Sequence, residues 1–255
     1  MGQLNRLVAI YNVWVDAIEL LPYSINEITK VVDDVIIVYS RRSNWGQSAD
    51  YLDKIKGMGR LYNFEPSPAV KPSHNEIDKR NFGLEKAKEL GFSHFIMLDC
   101  DEIYDSAELK RDRDSLYNSQ YMNGFVHPIV TYIKTPMLCC PDHTLVPGIH
   151  RLLHSTRFEF GNQFYPFAYD DKGDAHVDPT RRPNFKDGIM MSGTVMHHYS
   201  HVRKDMELKI HNSTARNSLL RSTIMEDYNE AAPGYYSKFY RQTLEEVPNR
   251  FNIYI

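Results

Sequence analysis

A four-residue apolar run, Phe95-Ile96-Met97-Leu98, ends without transition in Asp99, Cys100, Asp101 and Glu102. The run reads as a fully buried strand. Carboxylates clustered at such an end raise one another's pKa unless positive charge meets them, so this point of the chain calls for a cation. In an extended segment, residues i and i+2 point the same way. Asp99 and Asp101 are therefore expected to converge on one object, with Cys100 turned away. Hard oxygen ligands of this kind suit Mg²⁺ or Mn²⁺, which keep their remaining positions for water and phosphate. The competing reading is a strand end whose acids are simply solvated in a turn.

The segments before this run alternate between two periodicities. Leu4 to Tyr11 reads as a first buried strand, and Val35 to Tyr39 as a second. Between them Ile18, Leu21, Ile25 and Ile28 recur at helical spacing, with Asn12 or Asp16 as a cap and Pro22 as a kink. Strand, helix and strand with short joints predict parallel pairing through a right-handed crossover. Residues 40–44 leave the sheet, 51–55 form a short helix and 61–64 a third short strand. Pro66, Pro68 and Pro72 mark a loop. Ser73 with Glu76 reads as a capping box, opening a helix that runs to Leu90 and stops at Gly91. In sheets of this kind, ligands bind outside the carboxyl ends of the strands. That rule gathers Tyr11, Asn12, Tyr39, Ser40, Arg41, Arg42, Asp99 and Asp101 along one rim, with Arg80 and Asn81 facing it from their helix.

Beyond Tyr104 the pattern loosens. Residues 107–121 read as a solvated helix, 124–133 as a strand and 148–160 as one or two more. Residues 165–186, rich in Asp, Gly, Pro and Arg, are the candidate for a mobile loop over the site. A short segment then delivers His197, His198 and His201, and residues 204–221 are again helical. Arg181-Arg182 and Arg203-Lys204 read as plain surface pairs. No internal repeat or low-complexity linker divides the chain. The expectation is one compact domain with a first half over 1–105, a second over 106–215 and a helical tail over 216–255.

Composition narrows the classes. The 255 residues are 42% hydrophobic and 25% charged, as in a soluble globular protein with a sizeable core. A net charge of −3 gives no general footprint for nucleic acid. No apolar run approaches the ~20 residues that span a bilayer. The start of the chain carries no secretory pattern, and Arg6 stands where myristoylation would want Ser or Thr. Cys100, Cys139 and Cys140 make neither a disulfide framework nor a zinc pattern, and a reducing cytoplasm is the expected location.

Taken together, these features resemble a glycosyltransferase of the GT-A type, closest to family 2. The residues that carry the resemblance are 7–12 (Leu-Val-Ala-Ile-Tyr-Asn), 33–38 (Asp-Asp-Val-Ile-Ile-Val), 79–87 (Lys-Arg-Asn-Phe-Gly-Leu-Glu-Lys-Ala) and 95–102. Residues 148–153 and 197–203 resemble its weaker downstream signatures. The resemblance spans roughly residues 4–215. It implies a Rossmann-like mixed sheet flanked by helices and a UDP- or GDP-linked sugar donor at the strand rim. Asp99 is then expected near the sugar or ribose and within the metal set. Asp101 would bind Mn²⁺ or Mg²⁺, with His198 as a further ligand and His197 or His201 as its replacements. Mn²⁺ accepts mixed imidazole and carboxylate ligands more readily than Mg²⁺. Arg80 and Asn81 would support the diphosphate, and Tyr11 and Asn12 would lie near the base.

In two respects the chain departs from that family. An acid usually follows the second strand, whereas Tyr39-Ser40-Arg41 stands here, leaving Tyr39 or Trp45 to stack on the base. The general base of inverting members falls among Asp170, Asp171, Asp174 and Asp178, with Asp171 and Asp178 favoured; without one, a retaining mechanism is implied. The expected reaction is sugar transfer to an acceptor hydroxyl, the acceptor being a saccharide, a protein, a lipid-linked sugar or a modified DNA base. Two rival readings remain open. A nucleotidyltransferase would want a Gly-rich loop after the first strand, where Asn12-Val13-Trp14 offers none. A non-catalytic carbohydrate- or protein-binding module would keep the fold without the chemistry.

Overall fold

The computed structural model describes residues 5–168, 176–212 and 218–255. The first half alternates as its periodicity predicts: β1 (Leu7–Val13), α1 (Leu21–Ile28), β2 (Asp34–Tyr39), α2 (Leu52–Ile55), β3 (Arg60–Asn63), α3 (Pro72–Glu89) and β4 (His94–Asp99). Pro22 does not kink α1. It occupies the first turn of the helix, where a missing N–H costs nothing. Ser73 and Glu76 do not form the expected capping box either: α3 starts at Pro72 with no side-chain cap. Gly91 ends that helix as expected, at a positive φ of 73°.

β1, β2, β3 and β4 are all parallel. Their alternate residues fill two separate cores, as a sheet covered on both faces requires. Leu7, Ala9, Tyr11 and Val13 join Val35, Ile37, Ile96 and Leu98 on the face covered by α1. Val8, Ile10, Ile36, Val38, Phe95 and Met97 face the other way, against Ile77, Leu84 and Ala87 of α3. Register aligns Asn12 with both Val38 and Asp99, so the carboxyl ends of β1, β2 and β4 form one rim.

The second half extends the sheet with antiparallel pairs. β5 (Glu102–Tyr104) follows β4 after only Cys100 and Asp101; then come α4 (Ser106–Asn118), β6 (Gly124–Ile133), β7 (Leu138–Arg151), β8 (Ile189–Met191), β9 (Met196–His201), α5 (Met206–Asn212) and α6 (Ser218–Glu230). Among the described residues, the main path runs β3-β2-β1-β4-β7-β6-β9-β5, with β8 beside β6. β5 is thus the far edge of the sheet although two residues join it to β4. Two residues span at most ~7 Å, so the sheet curls back on itself. The curl brings β9 to the acidic end of β4, with His198 opposite Glu102. The expected fold class, a mixed sheet flanked by helices, is the one observed. No helix among the described residues is long and apolar enough to cross a membrane.

Helix α3 lies on β1 and β2 through Gly83. A Cβ there would stand 2.6 Å from Ile10 Cγ2 and 3.1 Å from Val38 Cγ2. Overpacking of this kind costs about 1–3 kcal/mol. Gly83→Ala is expected to lower unfolding stability by that amount in a urea titration, and unchanged stability would show that α3 does not rest on this contact.

Candidate functional site

The acids at the end of β4 do not share one object. They are met by three arginines, Arg80, Arg181 and Arg203, each from a different part of the chain. Asp99, whose side chain is one-third exposed, has Arg80 of α3 at 3.5 Å and Arg181 at 3.7 Å. Glu102 is buried in a two-pronged ion pair with Arg181, which also donates to Met97 O at 3.0 Å. Asp101 is buried and ion-paired with Arg203 just after β9. The chain turns at Cys100 instead of continuing extended, so the i, i+2 alignment expected of Asp99 and Asp101 does not hold.

Burial pushes Asp101's carboxyl up, but Lys209, Arg203 and His198 together hold it well below the usual carboxylate range. Lys209 Nζ lies 3.6 Å and His198 Nε2 3.7 Å from the same oxygen, Oδ2. Arg203 is pinned from behind by Ser200 O and Asp16 O. Arg181, Arg182 and Arg203 are therefore buried and not the surface pairs expected from sequence; Lys204 alone of the four is exposed. Arg182 holds the loop by donating to Val177 O and Ala168 O. Periodicity carries no signal for such buried arginines, because their partners lie up to a hundred residues away.

A cleft of roughly 820 Å³, mouth included, opens at this rim. Of the residues expected from sequence, Asn12, Ser40, Asp99 and Asp101 line it, and Arg42 does too. Asp16, Glu76, Lys79, Lys209 and Asn212 line it without having been expected as site residues, although Lys79 sits within the 79–87 motif. Four polar atoms of lining residues, Asn12 Oδ1, Trp14 Nε1, Glu76 Oε2 and Asn212 Oδ1, are buried without a hydrogen-bond partner. Buried polar groups are rarely left so, and their presence around one cleft marks a place for a polar ligand. Tyr51 fixes the rim by donating to Ser40 O and Val13 O, at 2.7 and 3.1 Å. Burial, only partly offset by Arg80, raises the Glu76 carboxyl, and burial lowers Lys79 to about 8. Cations and acids are interleaved here. Arg42, Lys79 and Lys209 on the wall, and Arg80, Arg181 and Arg203 behind it, face Asp16, Glu76, Asp99, Asp101 and Glu102.

Other expected residues serve the scaffold. Tyr11 is buried in the core with its hydroxyl on Ser24, so it does not face a base. Asn81 exchanges two hydrogen bonds with the backbone of Phe158, at 2.7 and 3.1 Å, and supports no diphosphate. Tyr39 packs half-buried on the core, beside the rim. His197 bonds Tyr132 through Nδ1 and His201 bonds Tyr240 through Nε2, both buried, and neither lines the cleft. Asp178 is exposed and accepts from the backbone and hydroxyl of Thr180, whose hydroxyl also takes Arg80. It is not among the residues lining the cleft. Asp170, Asp171 and Asp174 lie outside the described residues. Trp45 lines an adjoining cavity with Pro66, Pro68 and Pro72.

The expected Mn²⁺ or Mg²⁺ can be tested against this donor set. Asp101 and His198 do approach each other as two ligands would. Among the described residues, however, no group of three His, Cys, Asp or Glu side chains gathers to hold a metal. The Asp101 oxygen is already shared by Arg203 and Lys209. Two unit charges about 4 Å apart interact by about 4 kcal/mol at an effective dielectric near 20, and a divalent ion doubles that repulsion. As arranged, the residues do not fit the ion.

No family model matches the chain, and neither does any curated protein. Among solved structures it is similar to S. aureus TarS 1–349, at 14% identity over 88% of this chain and 70% of that one, with a TM-score of 0.38. S. aureus TarS itself gives 13% identity over 88% of this chain and 43% of that one, with a TM-score of 0.37. A mannose-1-phosphate geranyltransferase from Thermus thermophilus gives 11% identity over 58% and 50%, with a TM-score of 0.34. Likenesses at these TM-scores carry no argument, and the reading of the site rests on its residues.

Removing one partner of a buried ion pair strands the other charge and costs about 3–5 kcal/mol. Arg181→Met is expected to lose that much stability through Glu102, and the double change with Glu102→Gln to recover most of it in urea unfolding. Equal stability of the single variant and the parent would show that the pair does not hold the loop.

Proposed function

We propose that this chain is a glycosyltransferase, moving a sugar from a nucleotide-diphosphate sugar to an acceptor hydroxyl. The observation that carries the reading is the cleft at the carboxyl ends of β1, β2 and β4. It combines unpartnered polar atoms with the cations Arg42, Lys79 and Lys209 where sheets of this kind bind ligands. Neutral donors and acceptors at Asn12 and Ser40 suit a nucleoside. Lys79 and Arg42 suit phosphate, for which lysine acts as a point charge. Asp99, fixed by two arginines yet partly exposed, suits the sugar hydroxyls. The adjoining cavity at Trp45 suits a stacked ring.

In the transfer, the acceptor oxygen forms a bond to the anomeric carbon as the bond from that carbon to the β-phosphate oxygen breaks. The breaking bond's electron pair stays on the phosphate oxygen. The acceptor's proton passes to a base, for which Asp171 and Asp178 are the proposed carboxylates. The barrier lies in the charge that builds on the departing diphosphate. Cations fixed in advance lower it, because they need no reorganisation as the reaction proceeds.

A panel of UDP- and GDP-sugars screened by thermal shift and calorimetry tests the assignment. At least one donor should bind and stabilise the protein, and Asp99→Asn should weaken sugar-dependent binding by about tenfold, or ~1.4 kcal/mol. Failure of every nucleotide, with and without divalent ions, would sink the reading.

The pH dependence has a defined sign. With Lys79 near 8, raising the pH through that value removes a positive charge from the cleft. Affinity for UDP should fall between about pH 7 and about pH 9, where ordinary lysines near 10.4 remain charged. Lys79→Met should flatten the fall; a wild-type affinity constant across that range would contradict the assignment.

A further inference from the structure

The carboxylate expected to hold a metal is already met by the chain's own cations, and one of them is turned toward the cleft. Arg203 cannot serve a ligand: its side chain is fully buried and held by the backbone at Asp16 and Ser200. Lys209 differs. Its ammonium stands 3.6 Å from Asp101 Oδ2, its side chain is one-quarter exposed, and it lines the cleft. Asp101 thus has one cation that fixes it and a second that reaches from it into the space a diphosphate would fill. Lys209 lies on α5, whose last residue, Asn212, also lines the cleft and has a buried side-chain oxygen without a partner.

We infer that Lys209, oriented by Asp101, supplies the positive charge that meets the donor's diphosphate, so that nucleotide binding does not require a divalent ion. The inference rests on the nucleotide-sugar reading and goes beyond it. Asp101 acts as a positioning residue: it holds the ammonium at the wall. Lys209 is the group that touches the phosphate, and it stabilises the oxygen that receives the electron pair as the sugar departs. A divalent ion at this point would have to displace Lys209 and sit beside the immovable Arg203.

Calorimetric titration of the full chain with UDP and with GDP, in excess chelator and again in Mn²⁺, decides the matter. The expected result is binding in chelator, with an affinity within about threefold of that in Mn²⁺. Lys209→Met should weaken it by about tenfold or more, and Lys209→Arg, which keeps the charge, should restore it to within about threefold. Thermal midpoints of both variants near the parent's would show that the loss is in binding and not in folding. Binding that appears only with Mn²⁺ would overturn the inference and leave the transferase reading standing. Unchanged affinity in Lys209→Met would also overturn it. No nucleotide binding under any condition would remove both. The wild-type comparison needs no variant, so a Lys209 change that fails to fold still leaves a decisive result.

Discussion

A sheet buried on both faces cannot end in unpaired carboxylates, and the rest of this structure is arranged around that constraint. Asp101 and Glu102 are both buried, beyond the reach of bulk water. Removing such charges from water costs several kcal/mol per ion even after relaxation. The chain meets that cost with guanidinium groups from three distant segments. Arg80 arrives on α3, Arg181 from the loop before β8, and Arg203 from the turn after β9. Each pair joins parts of the chain that local interactions would not bring together. The loop carrying Arg181 is seated by its ion pair as much as by apolar packing.

The curl of the sheet gives those pairs their geometry. Only Cys100 and Asp101 separate β4 from β5, yet three strands lie between them in the sheet. β9 must therefore pass close to the acidic turn, and the next two residues after His201, Val202 and Arg203, fold back beneath the rim. Tyr199 N donates to Asp101 O at 2.8 Å, so the turn is held through its backbone as well as its carboxylates. The cleft is the space left between this reinforced turn, the ends of β1 and β2, and the first turns of α3. Its walls are rigid where they touch the acids. The lining groups that lack partners belong to Asn12, Trp14, Glu76 and Asn212.

The parallel half of the fold was legible in the sequence because its strands are short apolar runs, α1 carries apolar residues at helical spacing, and Gly91 marks the end of α3. β1, β2 and β4 fall within a few residues of the expected spans, and β6 coincides with its own. The rim rule also placed Asn12, Ser40, Asp99 and Asp101 together. The rest failed for identifiable reasons. Tyr11 lies on the rim strand, but strand parity sends its side chain into the core, where Ser24 satisfies the hydroxyl. Asn81 shares a helix with Arg80 but points one residue aside, toward the backbone of Phe158. Arg181 and Arg203 looked like surface because a charged residue without a visible partner reads as solvated. Lys209 had no signal, since only the curl brings α5 to the cleft.

The distribution of arginine and lysine reflects the chemistry of each. A guanidinium stays charged at any ordinary pH and presents a fixed fork of donors, which makes it the side chain for permanent buried pairs. Arg80, Arg181 and Arg203 occupy such positions. An ammonium is a compact charge on a flexible stem, better able to track a ligand and more easily tuned by its surroundings. Lys79 and Lys209 stand where the cleft opens, and Lys79 is tuned down by burial to about 8. The arginines neutralise the acids once and for all. The two lysines stand on the cleft wall, Lys79 donating to Val13 O at 2.7 Å and Lys209 lying 3.6 Å from Asp101, where an entering anion would meet both ammonium groups.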